Sequence, residues 1–297
     1  MWRSLLFVPV LNDRLFEGAA QRGSDAIVLD LEAAVPQDRK DDARAVLPAA
    51  VTHLKTAKAE IAVRINPLDA GGEDDMAAAM DAGADLIVLP HATIASVKQA
   101  GDLAGATPLI PIIETPRGVI DALGIAEAAS TVVGLGLGVE DYSTAMGAPP
   151  TPDLLIPAAF HVIQAARAAQ CEPLIIADTI ADYANLSGFE AAALKSRALG
   201  ASGSFAIHPG QVEILNRVFM PTDEELRQAE EIIIAAEEAN RHGSAIATRN
   251  GTMIDEPIIA RARSILRLGQ RYAEPSSPSK QTQNAPKPRS STTCLKD

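Results

Sequence analysis

Arg22-Gly23-Ser24-Asp25-Ala26-Ile27-Val28-Leu29-Asp30-Leu31-Glu32 opens on a glycine, runs through a short apolar stretch and leaves on two carboxylates. A glycine just past a helix accepts the left-handed conformation that ends helices. A short, non-alternating apolar run reads as a strand buried on both faces, as in parallel sheets. The same opening recurs at Ala82-Gly83-Ala84-Asp85 and Leu199-Gly200-Ala201-Ser202. Working outward, strands are expected at Leu5–Pro9, Ala26–Leu31, Ile61–Ile65, Leu86–Leu89, Leu109–Ile113, Val132–Leu137, Leu174–Ala177 and Ser204–Ile207. Between them lie Arg14–Arg22, Arg39–Ala50, Asp74–Ala82, Ile94–Leu103, Val119–Ala128, Leu155–Ala169 and Phe189–Leu199. Their apolar residues fall at i, i+3, i+4 and i+7, the spacing of amphipathic helices.

Strand and helix thus alternate in units of about 20 to 40 residues, the pattern of parallel βαβ units. Eight units suit a closed (β/α)8 TIM barrel, which needs about 250 residues. An open doubly wound sheet is the alternative, because closure leaves no mark in sequence. The expected fold class is α/β, with a barrel domain over residues 1–220. Helices at Asp223–Arg241 and Glu256–Tyr272 form a C-terminal extension over 221–274. From Pro275 to Asp297 the chain turns to Pro, Ser, Lys, Gln, Asn and Thr, which reads as a disordered tail.

Composition narrows the partners. Hydrophobic residues make up 47% of the 297 and aromatics 3%, favouring a core of Ile, Val, Leu and Ala. A net charge of −12 is the wrong sign for tracking phosphates, so no nucleic-acid partner is expected. Two cysteines, Cys171 and Cys294, make no disulfide framework and fit a reducing, cytoplasmic setting. The opening Leu5-Leu6-Phe7-Val8-Pro9-Val10 reads as a buried strand, not a signal peptide. No apolar run reaches the roughly 18 residues of a membrane span.

The chemistry lies in what ends each apolar run. These ends are Asp30 and Glu32, Arg64 and Asn66, His91, Glu114, Glu140 and Asp141, Asp178, and His208. In a parallel barrel they converge on the C-terminal rim, where such enzymes build their sites. Charge set beside apolar strands is costly unless paired or coordinated. Glu114 and Asp141 are the metal candidates: two carboxylates with waters and a substrate oxygen make an oxygen-rich site suited to Mg²⁺. Two helix-capping carboxylates would look the same. Arg64 has the planar fork to grip a substrate carboxylate; an internal salt bridge to Asp30 or Glu32 is the other role open to it. His208 reads as an acid/base or as a structural histidine. Gly134-Leu135-Gly136-Leu137-Gly138 lacks Rossmann spacing, and crowding at a strand end is reason enough for its glycines.

Arg3-Ser4-Leu5-Leu6-Phe7-Val8-Pro9, Val28-Leu29-Asp30-Leu31-Glu32, Val63-Arg64-Ile65-Asn66-Pro67, Ile113-Glu114-Thr115-Pro116 and Ala206-Ile207-His208-Pro209 occur in that order. Together they resemble the HpcH/HpaI aldolase/citrate lyase β-subunit family, which also contains malyl-CoA and citramalyl-CoA lyases. The likeness runs from Arg3 to about Leu268. It implies a TIM barrel, Mg²⁺ as cofactor, and a homotrimer or hexamer. It also implies a carbon–carbon lyase that splits, or forms, a 3-hydroxyacyl-CoA from a short acyl-CoA and a 2-oxo acid. By that resemblance Glu114 and Asp141 bind the metal and Arg64 takes the substrate's carboxylate and carbonyl. Asp30 and Glu32 support Arg64 and the metal's waters. Met253-Ile254-Asp255-Glu256-Pro257 resembles a motif whose aspartate enters a neighbouring subunit's site as catalytic acid/base, so Asp255 inherits that role; by itself it reads as a helix N-cap. The chain departs from the family pattern at Val10, usually Gly, and Ala33, usually Asp. It also departs at His91 and near Ser204, where lysines are common. An acyl-CoA thioesterase, a CoA-independent aldolase and a non-catalytic CoA-ester-binding subunit are the alternatives on this scaffold.

Overall fold

Eight short runs pair side by side in the computed structural model, which describes residues 1–242, 246–249 and 252–273. They are β1 (Ser4–Pro9), β2 (Ala26–Asp30), β3 (Glu60–Arg64), β4 (Leu86–Leu89), β5 (Leu109–Ile113), β6 (Gly134–Leu137), β7 (Glu172–Leu174) and β8 (Ser204–Ala206). All pair in parallel, in the order β7-β6-β5-β4-β3-β2-β1-β8. A bridge between Leu174 and Gly203 joins the two ends, and the Ser202 N–H donates across the same seam to the Pro173 carbonyl at 2.9 Å. The sheet therefore closes into the expected barrel. The expected tail, Pro275–Asp297, lies outside the described residues.

The connecting helices are α1 (Asp13–Ala19), α2 (Lys40–Leu54), α3 (Gly72–Asp81), α4 (Ile94–Ala104), α5 (Pro116–Ile120) and α6 (Ala122–Glu127). After β6 come α7 (Val139–Met146), α8 (Pro152–Ala168), α9 (Leu186–Leu199) and α10 (Pro209–Val218). Three expectations need correction. The helix expected over Val119–Ala128 is two pieces meeting at Asp121. β7 starts two residues before the expected Leu174, because Pro173 uses only its carbonyl in the seam and so hides the strand. Ile175–Ala177 are buried but unpaired there, and the Ala177 N–H goes to the Ser196 hydroxyl at 3.0 Å. Finally, α7 and α10 lie outside the expected helices. Each begins directly on a rim residue, so strand end and helix start share residues with no loop between.

Alternation along the strands divides the core in two. Leu5, Ala26, Val28, Ala62, Ile110, Ile112 and Phe205 fill the barrel with Trp2. Leu6, Ile27, Leu29, Ile61, Val63 and Leu135 face the helices. The N-terminal end is plugged by the first residues: the Trp2 indole N–H donates to Glu60 at 2.6 Å, and Arg3 grips Asp25 through Nε (3.0 Å) and Nη2 (2.7 Å).

Beyond the barrel, α11 (Asp223–Arg241) and α12 (Glu256–Ala273) pack against each other, with a hairpin of β9 (Ala247–Arg249) and β10 (Thr252–Ile254) between them. The pair is rooted at the barrel's N-terminal end. Glu225 in the first turn of α11 accepts two bonds from Arg197, at 2.8 and 3.0 Å. Tyr272 in the last turn of α12 lies 3.1 Å from both Met1 O and Asp25 Oδ2. Among the described residues no helix is long and apolar enough to cross a membrane.

Candidate active site at the barrel mouth

Strand parity delivers the site. Ala26 and Val28 point into the barrel, so Asp30 does too; Ala62 carries Arg64 inward, and Ile110 and Ile112 carry Glu114. Three charged side chains thus crown an apolar interior. Beneath them the rings of Phe7 and Phe205 stack at 5.0 Å, and the Arg64 guanidinium lies 4.4 Å above the Phe7 centroid. A cation over an aromatic face is held by the ring's quadrupole, so Phe7 forms the floor of the site.

Arg64 is held from one side. Nε and Nη2 donate to the two oxygens of Asp30 at 2.8 and 2.6 Å, a bidentate pair, and Nη1 lies 3.0 Å from Glu32. The internal salt bridge is therefore real, and one N–H on each terminal nitrogen remains for the mouth. Burial pulls the Arg64 pKa down, and Asp30, Glu32 and Glu114 more than restore it, so it stays a cation. Asp30 is only 3% exposed and also accepts from the N–H groups of Glu32 (2.9 Å) and Ala34 (3.1 Å). Its acceptor capacity is spent inside the protein. Lys40 clamps the same turn through the carbonyls of Leu31 (2.7 Å) and Glu32 (2.8 Å).

Glu114 stands two strands along the same rim, 5% exposed. Its Oε2 accepts from the His91 N–H at 2.6 Å and lies 3.1 Å from the His91 ring. His91 has φ +47°, a left-handed backbone rare for a non-glycine residue, and it follows Pro90 directly. Sequence gave His91 little weight; its turn, not its ring alone, makes it part of the site. Burial pushes the Glu114 pKa up to about 7, His91 works against that, and the charges of Asp141 and Glu32 add to it. Asp141 sits exposed in the first turn of α7, close enough for its charge to be felt at Glu114.

A buried carboxylate that feels the charges of two further acids favours a cation beside it. The donors are hard oxygens, which fit Mg²⁺ better than a thiol- or imidazole-preferring metal. Among the described residues no group of three His, Cys, Asp or Glu side chains gathers at one point, so an ion held by two carboxylates completes its shell with water and substrate. The glycines of β6 serve this arrangement. A Cβ on Gly136 would stand 2.9 Å from the Phe205 ring, and one on Gly138 would stand 2.5 Å from Glu114 Cγ. Gly138→Ala should therefore push Glu114 off its place. The expected result is a loss of about tenfold or more in turnover with the fold intact by circular dichroism, since about 1 Å of misplacement suffices. Full activity in that variant would show that Glu114 need not stay where it is.

A pocket of about 440 Å³ opens beside Arg64 and Asp30, lined by Phe7, Leu15, Arg22, Ala33, Ile180 and Ile207 among others. Ala33 lines it, and Val10 is buried in the core behind it. Ser204, near which the family commonly has a lysine, is at the end of β8 away from the mouth, beside Ser4, because β8 is entered there. His208 takes the structural option: its Nδ1 accepts from the Gly210 N–H at 3.1 Å and it caps α10. Asp255 is not brought to this mouth. It caps α12, accepting from Ile258 N–H at 3.4 Å, and Tyr272 at the other end of that helix touches the barrel's far face. Seventeen residues of helix span about 25 Å.

The sequence model of the HpcH/HpaI aldolase/citrate lyase family matches residues 3–209. The citrate lyase subunit beta of Haemophilus influenzae is 36% identical over 280 residues, covering 89% of this chain and 95% of its own. A (3S)-malyl-CoA thioesterase of Cereibacter sphaeroides is 32% identical over 280 residues, covering 92% of this chain and 96% of its own. A solved structure of CitE from Mycobacterium tuberculosis, in complex with magnesium, acetoacetate and coenzyme A, is 26% identical with a TM-score of 0.72. It covers 90% of this chain and 97% of that one. The solved structure shares the fold on which the mouth is built, and the chain belongs to the HpcH/HpaI aldolase/citrate lyase family of lyases.

Proposed function

We propose that this chain is a Mg²⁺-dependent carbon–carbon lyase acting on a 3-hydroxyacyl-CoA of the malyl, citramalyl or citryl type. The observation that carries the reading is a clamped guanidinium and a buried, acid-crowded carboxylate two strands apart on one rim. Glu114 and Asp141 would hold the ion. When bound, Mg²⁺ supplies Lewis-acid polarisation to the oxygens of a 2-oxo acid.

The chain's own residues do the rest. Arg64, fixed by Asp30 and Glu32, aims its two remaining N–H groups at the mouth and favours negative charge developing there. The pocket beside it, walled by Phe7, Leu15 and Ile207, accepts the apolar stem of a thioester and excludes water from one side. Cleavage breaks the bond between the carbinol carbon and the methylene next to the thioester. The carbinol passes its proton to water at the mouth and becomes the 2-oxo acid's carbonyl; the electron pair of the broken bond goes to the methylene, which takes up a proton from an acid. Asp255 of a neighbouring copy would be that acid, since in its own chain it caps α12, whose other end docks on the barrel's N-terminal face. This assignment needs an oligomer in which each 221–274 extension covers a neighbouring mouth, and the family resemblance points to a homotrimer or hexamer.

Malyl-, citramalyl-, methylmalyl- and citryl-CoA, assayed with and without Mg²⁺ for 2-oxo acid and free CoA, test the reading. Release of a 2-oxo acid with acyl-CoA, only with Mg²⁺, is expected. The relatives named as thioesterases give a second reading, in which water replaces the carbon nucleophile. Free CoA without 2-oxo acid would establish that reading and overturn the first.

A further inference from the structure

We propose that Tyr272 is a positioning residue: by docking the last turn of α12 on the N-terminal face of its own barrel, it sets where the helical arm delivers Asp255. The proposal rests on the reading that Asp255 serves a neighbouring copy's mouth.

The arm is a lever held at its root. α11 and α12 make their extensive contacts with each other and with β9, not with the barrel's elements. One root contact is the pair of bonds from Arg197 to Glu225, whose carboxylate also accepts from the Thr222 N–H at 2.8 Å. Another is Tyr272. Its hydroxyl lies 3.1 Å from Met1 O and from Asp25 Oδ2, and its ring carries the Arg3 guanidinium 3.7 Å from the centroid. Arg3 in turn holds Asp25 through its backbone N–H (2.7 Å) and its side chain. Burial and the Asp25 carboxylate push the Tyr272 pKa well above its ordinary value, so the phenol keeps its proton and remains a donor.

Between root and tip the arm behaves as one body. A Cβ on Gly269 would stand 2.5 Å from Leu226, so the two helices touch closely near the root. At the tip Ala247, Ile254 and Ile259 close a small core with Ile232, Ile233 and Ala236. Over the helix length separating Tyr272 from Asp255, about 25 Å, a tilt of about 3° at the root moves the tip by roughly 1 Å. A shift of that size at a reacting group costs up to about 100-fold in rate. The Tyr272 hydroxyl thus bears on chemistry in a mouth it never touches.

Tyr272→Phe keeps the ring over Arg3 and removes only the hydroxyl, so folding should survive, checked by elution volume and circular dichroism. Mixed oligomers, isolated through two different tags, separate the roles of the two chains. One chain carries Arg64→Ala and keeps Asp255; the other carries Asp255→Ala and keeps its mouth. Activity regained on mixing comes from the second chain's mouth served by the first chain's arm. Tyr272→Phe placed on the first chain should lower kcat about tenfold with KM unchanged, and placed on the second should change neither. Equal losses on both chains, or no loss on either, would overturn the proposal. No activity regained by the unsubstituted mixture would instead show that Asp255 does not act between copies, and the proposal would fall with that reading.

Discussion

Glu114→Gln is expected to lose about 10³-fold in kcat/KM and, at pH 8, to unfold at a higher temperature than the parent protein. The first effect follows from removing one of the two carboxylates proposed to hold the ion, whose charge stabilisation would be worth several kcal/mol, or about 10³-fold. The second follows from burial. A carboxyl titrating near pH 7 in the folded chain titrates near 4.3 when unfolded, at about 1.4 kcal/mol per unit. The folded state therefore binds the proton more tightly than the unfolded state. Above pH 7 the charged carboxylate costs the metal-free fold on the order of 3 kcal/mol, and the cost fades as pH falls toward 4.3. The amide carries no such cost and still accepts from the His91 N–H. Melting curves without metal at pH 8 and pH 5 should show the variant ahead by several degrees at the first and level at the second. A variant that melts lower at pH 8 would mean that Glu114 is a structural anion, not a ligand held in reserve.

Arg64→Lys should cost about 10²- to 10³-fold in kcat/KM and about 2–3 kcal/mol of stability, despite keeping the charge. An ammonium cannot bridge both oxygens of Asp30, reach Glu32 and lie flat over Phe7 together. Asp30 is buried, and a poorly matched partner leaves part of its carboxylate unpaired. Chemical denaturation and steady-state kinetics on the same preparation check both numbers. If the lysine variant melts normally yet is inactive, the pairing with Asp30 is dispensable to the fold and Arg64 acts only on substrate. If it keeps wild-type activity, the guanidinium is not the group that works with Glu114.

Much of this was legible in residue order, for identifiable reasons. The strands of the barrel announce themselves because both faces are buried, so apolar runs are unbroken and the first charge marks the rim. Asp30, Arg64 and Glu114 could be chosen that way, and parity then places all three over the interior. His91 was undervalued because its part depends on a left-handed turn after Pro90, which no side-chain pattern encodes. β7 starts earlier than its apolar run suggests because Pro173, which gives only its carbonyl to the seam, interrupts the pattern of a strand. The glycines in and just after β6 answer the crowding expected at a strand end; which atoms crowd them, those of Phe205 and Glu114, is set by strands far away in sequence and is not legible there. Asp255 illustrates the limit. Its local signal is a helix cap and nothing more, and the structure adds only that the far end of its helix docks on the barrel's N-terminal face.

The central claim is that a single divalent ion sits between Glu114 and Asp141, facing Arg64. Calorimetric titration with MgCl₂ tests it most directly, on the parent chain, Glu114→Gln and Asp141→Asn, with oxaloacetate present. The account predicts one ion per chain for the parent and a fall in affinity of tenfold or more, about 1.4 kcal/mol, in each variant. Unchanged binding in both variants would contradict it.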